Sequence, residues 1–477
     1  MTDRGGFSNL MQGGQSGGMA GGLQFPKKYG DNPEITLRYY QFGITSNTPP
    51  YFGTLQYNNH TRSNLVEDAT HYYMLTMYYP NGGRYAHICA LKISKATLLV
   101  TTFRWMFRDF GVFIAAQHGI SNLTIYNGQL FWMESGYHAS GRLFAGVRFY
   151  RINTSDMSIV TAEGKYFGGD PEMYGIYALR TLAVGGNIWC FFGPTEVAVI
   201  RASDNAVLAC KKYWNTTTYT QHAILHSSGY VFALNYYSGG FNGYFEVFKF
   251  DPATYSVVAM RRIVHYSAAA FHSASGLVED GAGNILLTGH TVNSGGVYHA
   301  CYLLFDKDFN LVASKENQDA SGNRFAQLCF VDEKGWIVAN IFDGVNYNWV
   351  KMNSSLDVTE GLFAMPNGTM TPGDMKFSDN EILISGYSPY FNASWQCFYI
   401  MKIKKYNALK KTYRDTADSS KSIESVGTNY PGYANLSPVS FASYGASSAT
   451  AVANGNNIDN WAETYGMTCY TNQRVFE

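Results

Sequence analysis

From Gly276 to Lys315 the chain reads GLVEDGAGNILLTGHTVNSGGVYHACYLLFDKDFNLVASK, short apolar runs separated by clusters of Gly, Asn and Asp. This pattern predicts four strands joined by three tight connections. Strand a runs from Gly276 to Glu279, and Asp280 to Asn284 turn it into strand b, Ile285 to Gly289. A loop from His290 to Gly296 leads to strand c, Val297 to Phe305, which is apolar on both faces as a strand buried between two others should be. Asp306-Lys307-Asp308 then reverses the chain into strand d, Leu311 to Ser314. One such meander has two apolar faces and cannot stand alone.

The c-to-d turn recurs. It stands at KISKATLLV, RINTSDMSIV, IRASDNAVL, FDPATYSVV, FDKDFNLV, MNSSLDV and IKKYNAL, counted from Ile93, Ile152, Ile200, Phe250, Phe305, Met352 and Ile403. The intervals are 59, 48, 50, 55, 47 and 51 residues. An a-to-b hairpin signal keeps the same phase at Asn127-Gly128, Gly185-Gly186-Asn187, Ser228-Gly229, Gly283-Asn284, Lys334-Gly335 and Asp379-Asn380. Two signals at one period, each tied to a strand pair, predict an all-β chain folded as a β-propeller of about seven four-stranded blades. Six or eight blades stay open, because Glu34 to Asn59 adds further strand-like sequence (EITLRYYQFG, TLQY) that closes the ring or covers its edge. A two-layer sandwich gives no reason for a constant interval.

The expected organisation is therefore a Gly-rich arm at 1–33, closing or edge strands at 34–65, the propeller at 66–415, and a C-terminal extension at 416–477 that docks on the ring or on a partner subunit. The arm holds nine glycines and is either a disordered leader or an anchor ordered by a neighbour, with Phe7, Leu10, Met11 and Phe25 as plugs. The extension is poor in charged residues and rich in small ones, but Trp461, Tyr465, Tyr470 and Phe476 are costly to leave in water.

Composition agrees with this picture. The chain of 477 residues has 37 Tyr, 31 Phe and 48 Gly, with 15% charged residues against about 25% in an ordinary domain. Thirty-five basic and 35 acidic residues cancel, which argues against nucleic acid as a partner. No stretch is long and apolar enough for a membrane helix, and Met1 to Gln12 does not resemble a signal peptide. The seven cysteines are scattered without a CxxC pair, so neither a disulfide framework nor a zinc site is expected.

LTGHTVNSGGVYHACYLLFDKDFNLV and ISGYSPYFNASWQCFYIMKIKKYNALKK resemble the SBBP-type propeller repeats of bacterial and viral proteins, over about residues 66 to 415. The resemblance implies a propeller and no reaction. The arm, ring and tail together also resemble the organisation of tailed-bacteriophage virion proteins, which implies a tail, fibre or adaptor component located in the virion, with other virion subunits as partners of 1–33 and 416–477.

No Asp-box, quinoprotein repeat, H-E-x-x-H, G-x-S-x-G or P-loop signature occurs, and no catalytic residue, metal ligand or cofactor is expected. His222 and His226 have the spacing of a helical zinc pair but lie in a predicted strand a, nearly ~13 Å apart by rise. The axial strands are poor in carboxylates; Asp170, Glu172, Asp343 and Asp374 are left as rim acids. The b-to-c loops, in contrast, are rich in Tyr, Gly, Asn and Ser, a composition suited to recognition or simply to hairpins. The candidate binding residues on them are Tyr79, Tyr137, Tyr236, Tyr237, Tyr298, Tyr347, Tyr387 and Tyr390, for a glycan, a host-surface ligand or a protein. The expected function is a non-enzymatic structural or interaction protein of a phage-like virion. The alternatives are a carbohydrate-active propeller enzyme, a polysaccharide lyase or hydrolase, and a free-standing binding module.

Overall fold

The structure is a computed structural model. It describes residues 35–44; residues 65–404 apart from 79–84, 110–118, 137–145, 162–163, 166–179, 193–194, 214–218, 238–242, 266–269, 293–294, 317–324, 332–336, 343–345, 367–370, 379–380 and 389–396; and 412–414, 422–424, 434–435, 439–444, 450–451, 457–458 and 467–476. The Gly-rich arm lies outside the described residues, as do the Lys334-Gly335 and Asp379-Asn380 turns.

Among the described residues there is no helix, and every strand pairing is antiparallel. Seven sheets follow one another along the chain. Blade one runs from Leu65 to Asp109, blade two from Gly119 to Thr161, and blade three from Arg180 to Lys212. Blades four, five and six span Tyr219–His265, Ala270–Glu316 and Phe325–Pro366. Blade seven takes three strands from Thr371–Ser378, Glu381–Ser388 and Cys397–Lys404. Innermost strands of consecutive blades adjoin one another, so the sheets radiate from a common centre. The chain is a β-propeller, and seven is its blade count among the described residues.

In the unit from Gly276 to Lys315, three of the four strands are longer than the apolar runs suggest. Strand a begins at Ala270, and strands b and d extend to Val292 and Glu316, because backbone pairing continues past the last apolar residue, whereas strand c, Tyr298–Phe305, starts one residue later than expected. The alignment residues Ile93, Ile152, Ile200, Phe250, Phe305 and Met352 are all 0% exposed at the end of strand c, where the d strand shifts register. Apolar clusters fill the gap between consecutive blades. One joins Phe131, Met133 and Phe149 of blade two to Ile188, Cys190 and Phe192 of blade three. Another joins Leu65, Met74 and Leu91 of blade one to Leu383 and Ile400 of blade seven, closing the circle.

Each described c-to-d turn contains a non-glycine residue with positive φ: Leu98 at 54°, Met157 at 60°, Asn205 at 60°, Tyr255 at 54°, Phe309 at 69° and Leu356 at 62°. A side chain in this region costs about 1–2 kcal/mol. The return is position. Leu98 enters the cluster of blade seven, Met157 that of blade one, Phe309 that of blade four, and Leu356 that of blade five. Tyr255 sets its ring edge 5.8 Å from Trp189 of blade three, and Asn205 accepts from Arg151 of blade two. In every case the turn reaches into the preceding blade.

The preceding blade answers with a cation. Lys402 Nζ donates to the Lys95 carbonyl at 3.0 Å, Lys92 Nζ to Thr154 and Ser155 at 2.8 Å, and Lys249 Nζ to Lys307 at 3.0 Å. Arg151 reaches the Ser203 carbonyl and Lys211 the Thr254 carbonyl, both at 3.4 Å, while Lys315 pairs with Asp357 at 3.0 Å. Lys92, Arg151, Lys249 and Lys402 each sit one residue before the strand-c residue from which the repeat was counted. Each turn is thus held twice by its neighbour, once by packing and once by charge-assisted hydrogen bonds.

The fourth strand of blade seven comes from the other end of the chain. Ile35–Ile44 pairs with Cys397–Lys404, Ile35 opposite Ile403 and Tyr40 opposite Phe398. On its far side it pairs over ten positions with Met467–Phe476, from Ile35 opposite Phe476 to Ile44 opposite Met467. Among the described residues, further short segments of the extension pair at the outer strands of other blades. Ser422–Glu424 pairs on blade six, Ala434–Asn435 on blade five, Val439–Tyr444 on blade four and Thr450–Ala451 on blade three. Asn457–Ile458 pairs with Gly164–Lys165 in a separate two-stranded sheet beside strand Gly146–Asn153 of blade two. The extension visits the blades in descending order.

Two outcomes follow. Leu356→Ala should cost about 2–5 kcal/mol by chemical denaturation, and Leu356→Gly should be the less damaging of the two, because glycine relieves the left-handed backbone. In the first hairpin, burial raises the Asp68 carboxyl pKa, but hydrogen bonds from Tyr73 Oη, the Thr70 and His71 amides and the Thr70 hydroxyl together lower it from 3.8 to about 2. A depressed carboxylate contributes stability above its unfolded pKa and loses it as pH falls through the folded one. Stability should therefore fall between about pH 4 and about pH 2, and Asp68→Asn should flatten that part of the pH-stability curve.

Candidate binding face

Strands b and c meet at one end of every blade, and the sequence places its eight tyrosines there. Tyr79, Tyr137 and Tyr390 lie outside the described residues. The other five are in strands, not loops: Tyr236 and Tyr237 end Val231–Tyr237, Tyr298 begins Tyr298–Phe305, Tyr347 lies in Asn346–Met352 and Tyr387 in Glu381–Ser388. The hairpins are shorter than their Gly and Asn content suggests, since tyrosine itself is a good strand residue.

Blade four gives this end its fullest geometry. Tyr237 and Tyr244 stack across the hairpin with centroids 4.7 Å apart and planes 17° from parallel. The Arg262 guanidinium lies 4.3 Å from the Tyr244 centroid and donates to Glu246 Oε1 through Nη2 at 2.7 Å and Nε at 3.1 Å. Glu246 is fully buried, whereas the Arg262 side chain keeps 23% of its surface. Behind them, Tyr213 Oη meets Thr220 Oγ1 at 2.7 Å and Asn235 at 3.2 Å. Burial, above all, and the charges of Glu246 and Glu196 push the Tyr213 pKa up, so it remains a phenol. Asn235, Glu246 and Arg262 stand opposite one another on three neighbouring strands, which puts all three side chains on one face of the sheet.

Tyr236 points the other way, packing beside Phe245 and Phe271 in the core shared with blade five. It holds the fold together. Tyr298 sets its ring edge-on to His290 at 5.7 Å, and the Thr291 hydroxyl donates to Glu316. Gly243 is pressed against the next blade: a Cβ there would lie 1.8 Å from the Phe271 carbonyl oxygen. Glu196, Asn235, Glu246, His290, Thr291, Glu316, Asn348 and Ser385 are all buried near this end of their blades. The sequence reading misses Glu246, Arg262, Tyr213 and Asn235, which sit inside apolar runs and converge only through strand register.

Of the rim acids, Asp170, Glu172 and Asp343 lie outside the described residues, and Asp374 stands opposite Ser385 in strand a of blade seven. Among the described residues no group of three His, Cys, Asp or Glu is placed to hold a metal ion. His226, at the opposite end of blade four, accepts the Ser228 amide at Nδ1 (3.0 Å) and meets the Gly283 carbonyl through Nε2 at 2.9 Å. It ties two blades. Cys190, Cys210 and Cys301 are buried free thiols, and burial raises the pKa of each, to about 11 for Cys210 with a further push from Glu196.

No protein-family model matches the chain, and no curated protein matches it. Among solved structures, it is similar to the polysaccharide lyase Uly1 at 8% identity and TM-score 0.47, over 78% of this chain and 98% of that one. It is similar to the WD40 domain of Toxoplasma gondii coronin at 12% identity and TM-score 0.44, over 78% and 87%. The β-propeller domain of Myceliophteria thermophila Cps50 (Swd1) gives 8% and 0.43, over 71% and 98%. At these values the likenesses carry no argument about function, and the propeller rests on the chain's own seven sheets.

Arg262→Leu should destabilise the protein by about 3–5 kcal/mol, because it removes the guanidinium that pairs with a buried carboxylate. The Glu246→Leu/Arg262→Leu pair should recover most of that loss in the same denaturation assay, since both charges are then gone.

Proposed function

We propose that this is a non-enzymatic interaction protein whose propeller presents the b-to-c end of its blades to a partner. The observation that supports this reading most is the Tyr237–Tyr244–Arg262 column, half-exposed at its tip and fixed from below by buried Glu246. Rigid aromatic rings and a clamped guanidinium offer contact area with little ordering left to do on binding. Sugar faces and protein side chains both fit such a surface. Tyr237, Tyr298, Tyr347 and Tyr387 are the proposed contacts, with Tyr79, Tyr137 and Tyr390 completing the face. The setting we propose is a phage-like particle, in which residues 1–33 anchor the ring to other subunits; it is supported by the organisation of the sequence.

Binding of the labelled full chain to host cells or to a glycan array should be saturable, and Tyr237→Ala should weaken it about tenfold or more while leaving the melting temperature nearly unchanged. An unchanged affinity would move the contact elsewhere. A chain lacking residues 1–33 should fold but fail to enter particles; normal incorporation would overturn the anchor. Release of unsaturated or reducing sugar ends from a polysaccharide panel by the full chain would overturn the non-enzymatic reading.

A further inference from the structure

Three flat groups on blade four are stacked in strand order. Arg262, Tyr244 and Tyr237 lie on strands d, c and b, so the guanidinium and the Tyr237 ring flank Tyr244 from its two sides. The spacings are even. The guanidinium is 4.3 Å from the Tyr244 centroid, the Tyr237 centroid is 4.7 Å from it, and the two rings are 17° from parallel. The stack thus runs from the outer strand toward the axis of the ring, and among the described residues Tyr237 is its last layer. Both tyrosines are half-buried, so part of each side chain reaches solvent.

We infer that Tyr237 is the platform for a neutral pyranose, whose C–H face adds the next layer to the stack; the inference rests on the binding face proposed above. A pyranose presents a flat apolar face rimmed by hydroxyls. A phenol meets it with a ring surface and, at the ring edge, a hydroxyl that both donates and accepts. The charge of the stack selects against acids. Arg262 donates through Nη2 and Nε to one oxygen of Glu246, which is fully buried. A ligand carboxylate or sulfate that took these donors would strip a buried carboxylate of its counter-ion. Arg262 is therefore a positioning residue that stiffens Tyr244, not an anion receptor.

The distribution of apolar surface argues against a protein partner at this place, since the centre of a protein–protein contact is apolar. Among the described residues, the exposed large hydrophobic side chains are Leu99, Tyr126, Leu225, Val258, Leu311 and Val312. Each stands in or beside an a-to-b or c-to-d turn, at the opposite end of the blades. Around the stack the apolar residues turn inward instead, Tyr236, Phe245 and Phe271 into the core shared with blade five. An aromatic platform without an aliphatic surround suits a sugar ring better than a protein surface.

The test uses the full chain and, as probes, the methyl pyranosides of galactose, glucose, mannose and N-acetylglucosamine, with glucuronic acid as the acidic counterpart. Saturation-transfer NMR should detect at least one neutral probe, with saturation strongest at its ring C–H protons. Its affinity should change less than about twofold between about 50 and about 500 mM salt, and glucuronic acid should bind no more tightly. Tyr237→Phe should keep most of the affinity and Tyr237→Ala should lose about tenfold or more, both with melting temperatures close to that of the unaltered chain. Tighter binding of glucuronic acid that weakens steeply with salt would overturn the neutral class and leave the binding face standing. Sugar binding that survives Tyr237→Ala would overturn the platform. If no probe binds while Tyr237→Ala still abolishes host-cell binding, the face belongs to a protein partner and this inference alone falls. If neither probes nor cells bind, the proposed function falls with it.

Discussion

A β-sheet that is apolar on both faces has to be covered twice, and in this chain every cover is another sheet of the same kind. What keeps the sheets at the right angle is the grip at the c-to-d turn. A left-handed residue aims a side chain such as Leu98, Phe309 or Leu356 into the preceding blade, and that blade returns a Lys or Arg to the turn carbonyls or, at blade six, to Asp357. The unfavourable φ is offset by burial, since a fully buried Leu or Phe contributes about 1.5–3 kcal/mol. The grip runs in one direction around the circle, so the last blade must hold the first, and Lys402 does so at Lys95.

This arrangement divides the molecule into two ends. The turn end is closed by packing and by Asx-type caps such as Asp306 Oδ1, which accepts the Asp308 and Asn310 amides at 2.8 and 2.9 Å. The opposite end carries buried acids, amides and hydroxyls behind half-exposed tyrosines. Packing acts at both ends, since Tyr236 and Gly243 press on the next blade at the second. What sets the second end apart is the polar groups buried behind its tyrosines, and it is the end we propose for binding.

Most of the ring was legible because its signals are local. Asp306-Lys307-Asp308 specifies a turn within its own few residues, and the counted strand-c residues repeat in both position and burial. The source of the fourth strand of blade seven was open in sequence, since Ile35–Ile44 lies more than three hundred and fifty residues from its partner Cys397–Lys404. The extension was harder to read. Strands such as Thr450–Ala451 join by backbone pairing alone, and that leaves no alternation of apolar and polar residues to find. The Glu246–Arg262 pair was hidden for another reason: which residue faces which depends on hairpin length, and the Gly-rich hairpin from 238 to 242 does not announce it.

The first strand, Ile35–Ile44, is flanked on one side by Cys397–Lys404 and on the other by Met467–Phe476. A force applied at Ile35 and directed along this strand would load both ladders in shear, so that the hydrogen bonds on its two sides share it. The seam that closes the ring is thereby doubled at the strand the chain contributes first.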